Sequence, residues 1–371
     1  MPRVHVDLAE RSYDIIIGAG VLESAAEHLR SIVAGRRLAV VTDAVVKQHY
    51  LPSMQSALDD ISSRWDTYCI DGGESAKSFA GLESLLTQML SDGVDRGSVL
   101  MAFGGGVVGD VGGFAAALLM RGIELIQVPT TLMSQVDSAV GGKNAINTSH
   151  GKNLVGSFLQ PRIVLNDVSV LRSLPAGELR SGYGEIIKYG LLRGEQQFSW
   201  LEHNAHALLA HETEVLTEAV RMGCETKAQI VSEDERDHGK RALVNLGHTF
   251  AHAFETQAGF GAFPHGVAVA VGLIAACELS ERSGACSTGL ADRVRSHTHA
   301  VGLATDLPGL SQAVDWSALE LHAHMAHDKK TVDGQINFVL LNEVGKPFVT
   351  KDISAEHVRE SLVALGASSC K

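Results

Sequence analysis

The chain has 371 residues, of which 45% are hydrophobic and 20% charged, so it is long enough for two domains with separate cores. Its 31 basic residues stand against 43 acidic ones, and the formal net charge is −12. Nucleic acids and anionic membranes select basic surfaces, so this balance argues against both as partners. A small anionic substrate is still compatible with it, because such a substrate needs only a local basic pocket.

The five cysteines are scattered and include no C-x-x-C pair, so neither a disulfide framework nor a thiolate zinc site is expected. The first ten residues carry charges and lack the apolar centre of a signal peptide. No segment reaches the roughly 18 uninterrupted apolar residues of a membrane span. These features predict a soluble protein of the reducing cytoplasm, with no membrane partner.

Residues 1–172 alternate short apolar runs with helical stretches, as α/β domains do. Strands are predicted at residues 4–8, 14–17, 38–43, 67–70, 98–103 and 123–128. Helices are predicted at residues 79–90 and 107–120. Short continuous apolar runs are typical of buried parallel strands. The pattern therefore predicts an α/β domain with a Rossmann-like parallel sheet and helices on both faces.

From residue 173 the pattern changes to apolar residues at three- and four-residue spacing, which is typical of helices. Helices are predicted at residues 175–192, 205–231, 248–257, 267–282 and 290–299. Only residues 335–342 are predicted as a strand in this half. The sequence thus predicts a second, mainly α-helical domain over residues 173–371.

A glycine-rich turn follows the strand predicted at residues 98–103. Its sequence, Gly104-Gly-Gly-Val-Val-Gly-Asp110, fits the G-x-G-x-x-G pattern, in which backbone N–H groups and a helix N-terminus approach a pyrophosphate. A tight structural turn explains it equally well, since this is not the first strand-to-helix turn. Polar side chains after other strands favour a nucleotide, because dinucleotides bind where several strand ends converge. These side chains are Asp43, Glu74, Lys77, Thr130 and Thr131.

Lysines in two further glycine-rich loops are candidate anion ligands. Lys143 follows Asp137 in the first loop, and Lys152 with Asn153 lies in the second. Such side chains bind phosphate or carboxylate groups. Solvated surface lysines are the ordinary alternative, although small and apolar residues surround these positions. Further candidates for anion binding are Lys227, Arg241, Asn245, Lys329 and Lys330.

Two charged residues, Glu185 and Lys188, interrupt an otherwise apolar helical stretch at positions i and i+3. One interpretation is an intrahelical ion pair worth ~0.2–0.5 kcal/mol. The other is that Glu185 supplies an oxygen ligand to a catalytic metal ion, which keeps one coordination position open.

Histidines stand out at residues 248–265. His248 and His252 lie one helical turn apart, and His265 follows a glycine-rich break. Imidazoles at i and i+4 project from one helix face, a common arrangement for binding a divalent metal. The chain has 17 histidines, so this spacing also arises by chance. The spacing alone leaves both interpretations open.

Taken together, these segments resemble the 3-dehydroquinate synthase family. The matching segments are G-G-E-S-A-K, G-G-G-V-V-G-D, R-G, Q-V-P-T-T-L-M-S-Q-V-D-S-A-V-G-G-K, H-G-K-N, G-E-I-I-K-Y-G, N-L-G-H-T-F-A-H-A, P-H-G and D-K-K. They run in order from about residue 71 to residue 330 and are together far more specific than a single glycine motif. One departure is Gly72-Gly73-Glu74, where many members have Asp-Gly-Glu.

The resemblance implies an N-terminal domain that binds NAD and a C-terminal domain that binds a zinc or cobalt ion. The implied metal ligands are Glu185, His248 and His265. The implied NAD-binding residues are Asp43, Gly73, Glu74, Ser75, Ala76, Lys77, Gly106, Val107, Val108, Gly109, Asp110, Thr130 and Thr131, with Lys143 and Lys152 at the nicotinamide end.

The same resemblance implies which residues contact the substrate. They are Asp137, Lys152, Asn153, Lys188, Lys227, Arg241, Asn245, His252 and one of Lys329 and Lys330. In this assignment His252 acts on a substrate proton and is not a metal ligand. Arg121 resembles a family arginine that reaches across a dimer interface, so a homodimer is implied.

The implied reaction converts 3-deoxy-D-arabino-heptulosonate 7-phosphate into 3-dehydroquinate and phosphate, in the shikimate pathway of aromatic amino acid biosynthesis. It combines transient oxidation at C5 by NAD, loss of phosphate, reduction and an intramolecular aldol step. The alternatives are another sugar-phosphate cyclase, of the 2-deoxy-scyllo-inosose or 2-epi-5-epi-valiolone synthase type, and a metal-dependent polyol dehydrogenase. The 3-dehydroquinate synthase reaction is favoured by Lys188, Lys227, Asn245 and Asp328-Lys329-Lys330, because the other cyclases have no substrate carboxylate to recognise.

Overall fold

A computed structural model describes residues 1–237, 239–259, 261–326 and 336–369. They form two compact units. The first comprises Met1–Leu174 and His211–Arg236, and the second comprises Pro175–Ala210 and the described chain from Asp237 onward. The sequence predicts one continuous domain over residues 173–371. It does not predict that His211–Arg236 belongs to the first unit.

The first unit is an α/β unit. Its strands are β1 (Arg3–Val6), β2 (Tyr13–Gly18), β3 (Arg37–Thr42), β4 (Arg64–Cys69), β5 (Val99–Gly104), β6 (Glu124–Pro129), β7 (Lys143–Thr148), β8 (Gly151–Phe158) and β9 (Ile163–Asp167). Its helices are α1 (Ala25–Val33), α2 (Ala44–His49), α3 (Leu51–Leu58), α4 (Phe79–Ser91), α5 (Gly106–Leu118) and, later in the chain, α8 (Thr213–Glu233).

Seven strands of this unit form one sheet in the order β1-β2-β9-β6-β5-β3-β4. All of its neighbouring pairs are parallel except β1 with β2. The predicted α/β class is confirmed. Strand β3 has β4 on one side and β5 on the other, so the chain reverses its course across the sheet between β4 and β5. The carboxyl ends of β3 and β5 therefore flank a topological switch point, where open α/β sheets bind ligands.

Two features of the first unit differ from the prediction. Strand β9 is not predicted, and the antiparallel hairpin β7–β8, over residues 143–158, overlaps the glycine-rich loops predicted at residues 134–153. Asn144 is buried at the base of the hairpin, and its amide donates to the carbonyls of Gly142 and Leu159. The bond to Leu159, 15 residues away, lies outside the local pattern on which a strand prediction depends.

Helix α8 belongs to the first unit because its apolar face packs on β1, β2 and a short π-helix at Ser134–Ser138. Leu216, Val220 and Cys224 are buried on that face. The chain reaches it through a break at residues 210–212, where His211 has a φ of 61°. The single helix predicted at residues 205–231 is therefore wrong, because two helices stand there.

The second unit is mainly helical. Its helices are α6 (Ala176–Arg193), α7 (Glu195–Leu209), α9 (His248–Ala258), α10 (His265–Arg282), α11 (Leu290–Ala300), α12 (Leu307–Leu310), α13 (Ala318–Ala326) and α14 (Ala355–Ala364). Strands β10 (Phe338–Leu341) and β11 (Pro347–Thr350) pair antiparallel, so the prediction of one strand missed the second. No helix in the described ranges is long and apolar enough to cross a lipid bilayer.

Helix α10 is the centre of this unit, since every residue from Ala268 to Cys277 is buried. Two glycines allow its close approach to its neighbours. A Cβ on Gly184 of α6 would lie 2.1 Å from the carbonyl oxygen of Gly266, and a Cβ on Gly272 would lie 2.3 Å from that of Gly247. Backbone atoms cannot yield as a side chain can, so these contacts bring α6 and the start of α9 directly against α10.

Candidate functional site

Three side chains from three helices meet in the second unit. Glu185 lies in the middle of α6, whereas His248 and His265 are the first residues of α9 and α10. Oε1 of Glu185 lies 3.4 Å from Nε2 of His248 and 3.7 Å from Nε2 of His265. One ligand atom from each residue lies within 4.8 Å of the other two. Their spacing allows all three side chains to bind a single metal ion.

Each imidazole is oriented by a hydrogen bond from its other nitrogen. Nδ1 of His248 donates to the carbonyl of Leu246 at 3.1 Å, and Nδ1 of His265 donates to Oε2 of Glu255 at 3.2 Å. These bonds put a hydrogen on Nδ1 and turn Nε2 of each ring toward Glu185. Partners of this kind are typical of metal-binding histidines, whose tautomer and ring orientation they determine.

Burial and a neighbouring charge keep His248 in the neutral form that binds a metal ion. Glu185 is completely buried, and Nζ of Lys188 lies 2.5 Å from its Oε2. Burial, followed by the positive charge of Lys188, lowers the pKa of His248 from 6.5 to about 4. His248 is therefore neutral at pH 7, as a metal ligand must be. One carboxylate and two imidazoles are a ligand set that fits a catalytic divalent metal with an open coordination position.

His252 lies beside this cluster. Its ring centroid is 5.7 Å from that of His248 and 6.0 Å from that of His265. The cluster formed by the described residues contains Glu185, His248 and His265, without His252. The i, i+4 spacing thus brings two imidazoles to one place, but only His248 belongs to the three-ligand group. Glu185 and His265, from two other helices, complete it.

Sequence reasoning missed Glu255, which is buried and contacts His265. The signal was present: residues 248, 252 and 255 follow i, i+4 and i+7 spacing, which places all three on one face of α9. A buried carboxylate beside a histidine is the usual outer partner of a metal ligand. Glu255 is therefore the residue that orients His265.

Replacing Glu255 by Gln is expected to weaken Zn²⁺ binding by about 10–100-fold, because the carboxylate that holds the imidazole is lost. The measurement is competition between the protein and a chromophoric zinc chelator. Thr256→Ala, an exposed position on the same helix, is the matched control and should bind zinc as the parent does. Equal zinc affinity in the Glu255→Gln variant and the parent would show that Glu255 has no such role.

The predicted anion ligands of the second unit differ in burial and in their neighbours. Lys188 is buried and paired with Glu185. Arg241 is 1% exposed and lies with Asn245 in a short 3-10 helix before α9. Lys329 and Lys330 lie outside the described residues.

In the first unit, the predicted dinucleotide residues follow three neighbouring strands. Asp43 follows β3, Gly106 follows β5, and Thr130 follows β6. Because these strands are parallel and adjacent, their carboxyl ends share one edge of the sheet, beside the switch point. Gly106–Asp110 forms the first turn of α5, so its N–H groups lie at a helix N-terminus suited to an anion. Asp43 instead caps α2 by accepting from the amides of residues 45 and 46.

Lys77 is the centre of a polar cluster in this unit. It is 4% exposed, and its Nζ lies 2.7 Å from Oδ2 of Asp110 and 2.5 Å from Oδ1 of Asn153. Burial raises the pKa of Asp110 above its ordinary value, and the charge of Lys77 opposes that shift. The loop at Gly73–Lys77, the start of α5 and the hairpin β7–β8 therefore meet at Lys77.

The remaining predicted residues of the first unit are distributed along the same elements. Nζ of Lys227 on α8 lies 2.6 Å from Oδ1 of Asp137 in the π-helix. Thr131 bonds to Ser134 through their hydroxyl groups at 2.8 Å. Three predicted residues lie elsewhere on these elements. Lys143 is exposed at the start of β7, and Lys152 is half-buried on β8. Arg121 is exposed and has a φ of 69°.

Comparison with known proteins identifies the chain. Family profiles described as 3-dehydroquinate synthase N-terminal and C-terminal match residues 67–181 and 182–331. The 3-dehydroquinate synthase of Caulobacter vibrioides is 48% identical over 366 residues, with 98% of this chain and 99% of that protein covered. That of Rhodospirillum rubrum is 46% identical over 360 residues, with 97% and 94% covered.

Solved structures of the same fold are also similar. A 2-deoxy-scyllo-inosose synthase complexed with carbaglucose-6-phosphate, NAD+ and Co2+ has a TM-score of 0.85 at 25% identity, with 97% of this chain and 99% of that chain covered. A 2-epi-5-epi-valiolone synthase from Streptomyces hygroscopicus subsp. jinggangensis, with NAD+ and Zn2+ bound, has a TM-score of 0.86 at 26% identity and coverages of 97% and 98%.

The fold and its likeness to these two structures place the chain in the class of sugar-phosphate cyclases. Within that class, the chain belongs to the 3-dehydroquinate synthase family. It is an enzyme of the phosphate-releasing lyase type. The predicted family is confirmed.

Proposed function

We propose that this chain converts 3-deoxy-D-arabino-heptulosonate 7-phosphate into 3-dehydroquinate and phosphate, with NAD and a zinc or cobalt ion as cofactors. The observation that carries the proposal is a difference in identity. Named 3-dehydroquinate synthases are 42–48% identical over nearly the whole chain, whereas the two cyclases of other specificity are 25% and 26% identical.

Glu185, His248 and His265 hold the metal ion in this proposal, with Glu255 and the carbonyl of Leu246 orienting the imidazoles. When bound, the metal supplies Lewis-acid polarisation of the substrate hydroxyl and, later, of the ketone. His252 is placed one turn from His248 and relays the proton of that hydroxyl. An imidazole suits this task because its pKa lies near neutrality.

The strand ends of the first unit bind NAD in this proposal, and bound NAD supplies reversible hydride transfer with no net oxidation. The N-terminus of α5 at Gly106–Asp110 receives the pyrophosphate through its N–H groups. Asp43 and the loop at Gly73–Lys77 bind the adenosine part, together with Thr130 and Thr131. Lys143 and Lys152 lie at the nicotinamide end.

Basic and amide side chains bind the two anionic groups of the substrate. Lys152, Asn153 and Arg241 hold the phosphate through charge-assisted hydrogen bonds, which are stronger than neutral ones. Lys188 and Lys227 bind the carboxylate. Each lysine has a carboxylate partner within 2.6 Å, in Glu185 and Asp137 respectively, which holds its ammonium group in place. Asn245 and one of Lys329 and Lys330 complete the substrate contacts.

A homodimer in the cytoplasm is part of the same proposal. Leu118 on α5 and Leu154 and Phe158 on β8 are 47%, 43% and 48% exposed, and α5 packs on β7 and β8. These exposed apolar side chains support a second copy of the chain as the partner. Among the described cysteines, Cys224 and Cys277 are buried thiols and none is paired, which suits a reducing compartment. Sedimentation velocity at micromolar concentration tests the dimer, and a monomer would contradict it.

The activity test is to incubate the metal- and NAD-loaded protein with 3-deoxy-D-arabino-heptulosonate 7-phosphate and, separately, with glucose 6-phosphate, sedoheptulose 7-phosphate and glycerol. Equal amounts of phosphate and 3-dehydroquinate, with no accumulation of NADH, are expected from the first substrate alone. A carbocyclic product from either other sugar phosphate would identify another cyclase. One NADH for each glycerol consumed would identify a polyol dehydrogenase.

A further inference from the structure

One residue without an assigned role joins two loops of the first unit. The backbone N–H of Asn147 donates to the carbonyl of Lys77 at 2.8 Å, and its side-chain amide donates to Oε1 of Glu74 at 3.0 Å. Its side-chain oxygen accepts from the N–H of Asn153 at 2.9 Å. Nζ of Lys77 donates to Oδ1 of Asn153, which closes the ring of hydrogen bonds.

The backbone of the hairpin is irregular at this residue. The pairs Ile146–Val155 and Thr148–Gly151 enclose a stretch in which Asn147 stands opposite Lys152, Asn153 and Leu154 without regular pairing. Asn147 is thereby released from the ladder, and its N–H reaches the neighbouring loop at Lys77. Irregularities of this kind redirect side chains next to functional sites.

The irregular stretch also holds Asn153 in an uncommon conformation. Its φ of 55° lies in the left-handed region, which Asn tolerates better than most residues but still at a cost in energy. Two bonds of the ring hold it there, from its N–H to Asn147 and from Lys77 to its side-chain oxygen. The conformation of Asn153 therefore depends on the position of the loop at Gly73–Lys77.

We infer that Asn147 is a positioning residue that couples binding of NAD at Gly73–Lys77 to binding of phosphate at Lys152 and Asn153. The inference rests on the proposed function, since both binding roles belong to it. Each ligand that orders its own loop also orders the other through Asn147, so the two affinities rise together. Such coupling is reciprocal and typically changes affinity about 5–150-fold.

The test is isothermal titration of NAD into the zinc-loaded full chain, with and without inorganic phosphate. Phosphate should tighten NAD binding at least about five-fold in the parent protein. In Asn147→Ala this factor should fall well below the parental one, because both side-chain bonds are lost and only the direct bond from Lys77 and the backbone bond of residue 147 still join the two segments. Ser149→Ala, at the exposed tip of the same hairpin, is the matched control and should keep the parental factor.

A rescue experiment separates coupling from a merely structural role. Asn147→Asp places a carboxylate beside that of Glu74 and should abolish the coupling. Adding Glu74→Gln supplies an amide donor to the new carboxylate, so the double variant should regain coupling. Its coupling factor should lie within about three-fold of the factor in Glu74→Gln alone, a difference of less than about 1 kcal/mol.

The outcomes distinguish this inference from the proposed function. The inference would be overturned by any of three results: parental coupling in Asn147→Ala, no coupling in the parent protein, or no recovery of coupling in the double variant. Each of these results would leave NAD binding and turnover in place. Failure of the parent protein to bind NAD or to form 3-dehydroquinate would overturn the proposed function, and the inference with it.

Discussion

Replacing His248 by Ala is expected to remove the metal ion and the activity together while leaving NAD affinity nearly unchanged. The imidazole supplies one of three convergent ligand atoms, and the remaining carboxylate and imidazole cannot enclose the ion. The loss of zinc affinity should exceed the 10–100-fold that an outer partner such as Glu255 contributes. Metal analysis after dialysis against a weak chelator, with NAD titration of the same sample, measures both effects.

The matched control is His252→Ala, one turn along the same helix. Its ring lies beside the cluster but is not one of the three convergent groups, so this variant should keep its zinc while losing turnover. Zinc retained in His248→Ala and lost in His252→Ala would reverse the two assignments. The same pair of variants thus separates metal binding from proton transfer.

Replacing Lys188 by Met is expected to destabilise the metal-free second unit by about 3–5 kcal/mol. The substitution removes the ammonium group 2.5 Å from the completely buried carboxylate of Glu185. Breaking one side of a buried ion pair leaves a charge without compensation in a medium of low polarity, which costs far more than the pair itself contributes. Urea unfolding measures the total loss, and hydrogen exchange of peptides from α6 assigns it to the second unit.

Two further samples make this test specific. The Glu185→Gln, Lys188→Met double variant has no charge left at this position and should recover most of the lost stability, because neutral replacement of a buried pair is often tolerated. Zinc should also reduce the loss in Lys188→Met, since the metal then compensates the carboxylate. Equal destabilisation in the single and double variants would mean that packing, and not charge, dominates at Lys188.

Local sequence was sufficient for most of the sheet and for the amphipathic helices. Strands β3, β5 and β6 are short apolar runs that end at polar or glycine residues, and each lies within two residues of its predicted bounds. The hairpin β7–β8 was missed because glycine, asparagine and lysine interrupt its apolar residues, and the buried amide of Asn144 donates to the carbonyl of Leu159 across the hairpin. Helix α8 was predicted as a helix, but its return to the first unit depends on which apolar surfaces meet.

The glycine turn after β5 shows how topology resolves an ambiguous motif. From the sequence, the turn is equally a phosphate-binding loop or a tight connection, since β5 is not the first strand. The strand order places β5 beside β3, with the change of direction between them. The turn at Gly104–Asp110 therefore lies where parallel sheets bind ligands, and only the order of strands in space determines this.

By itself, the sequence determined that His248 and His252 share a helix face, because a period of 3.6 residues leaves little freedom over one turn. The tertiary structure decided which groups join them. Glu185 and His265 converge on His248 because glycine contacts bring α6 and α9 directly against α10. Local spacing specifies the direction of a side chain from its own helix, whereas a metal site also requires other helices to arrive within a few ångströms, and packing alone controls that.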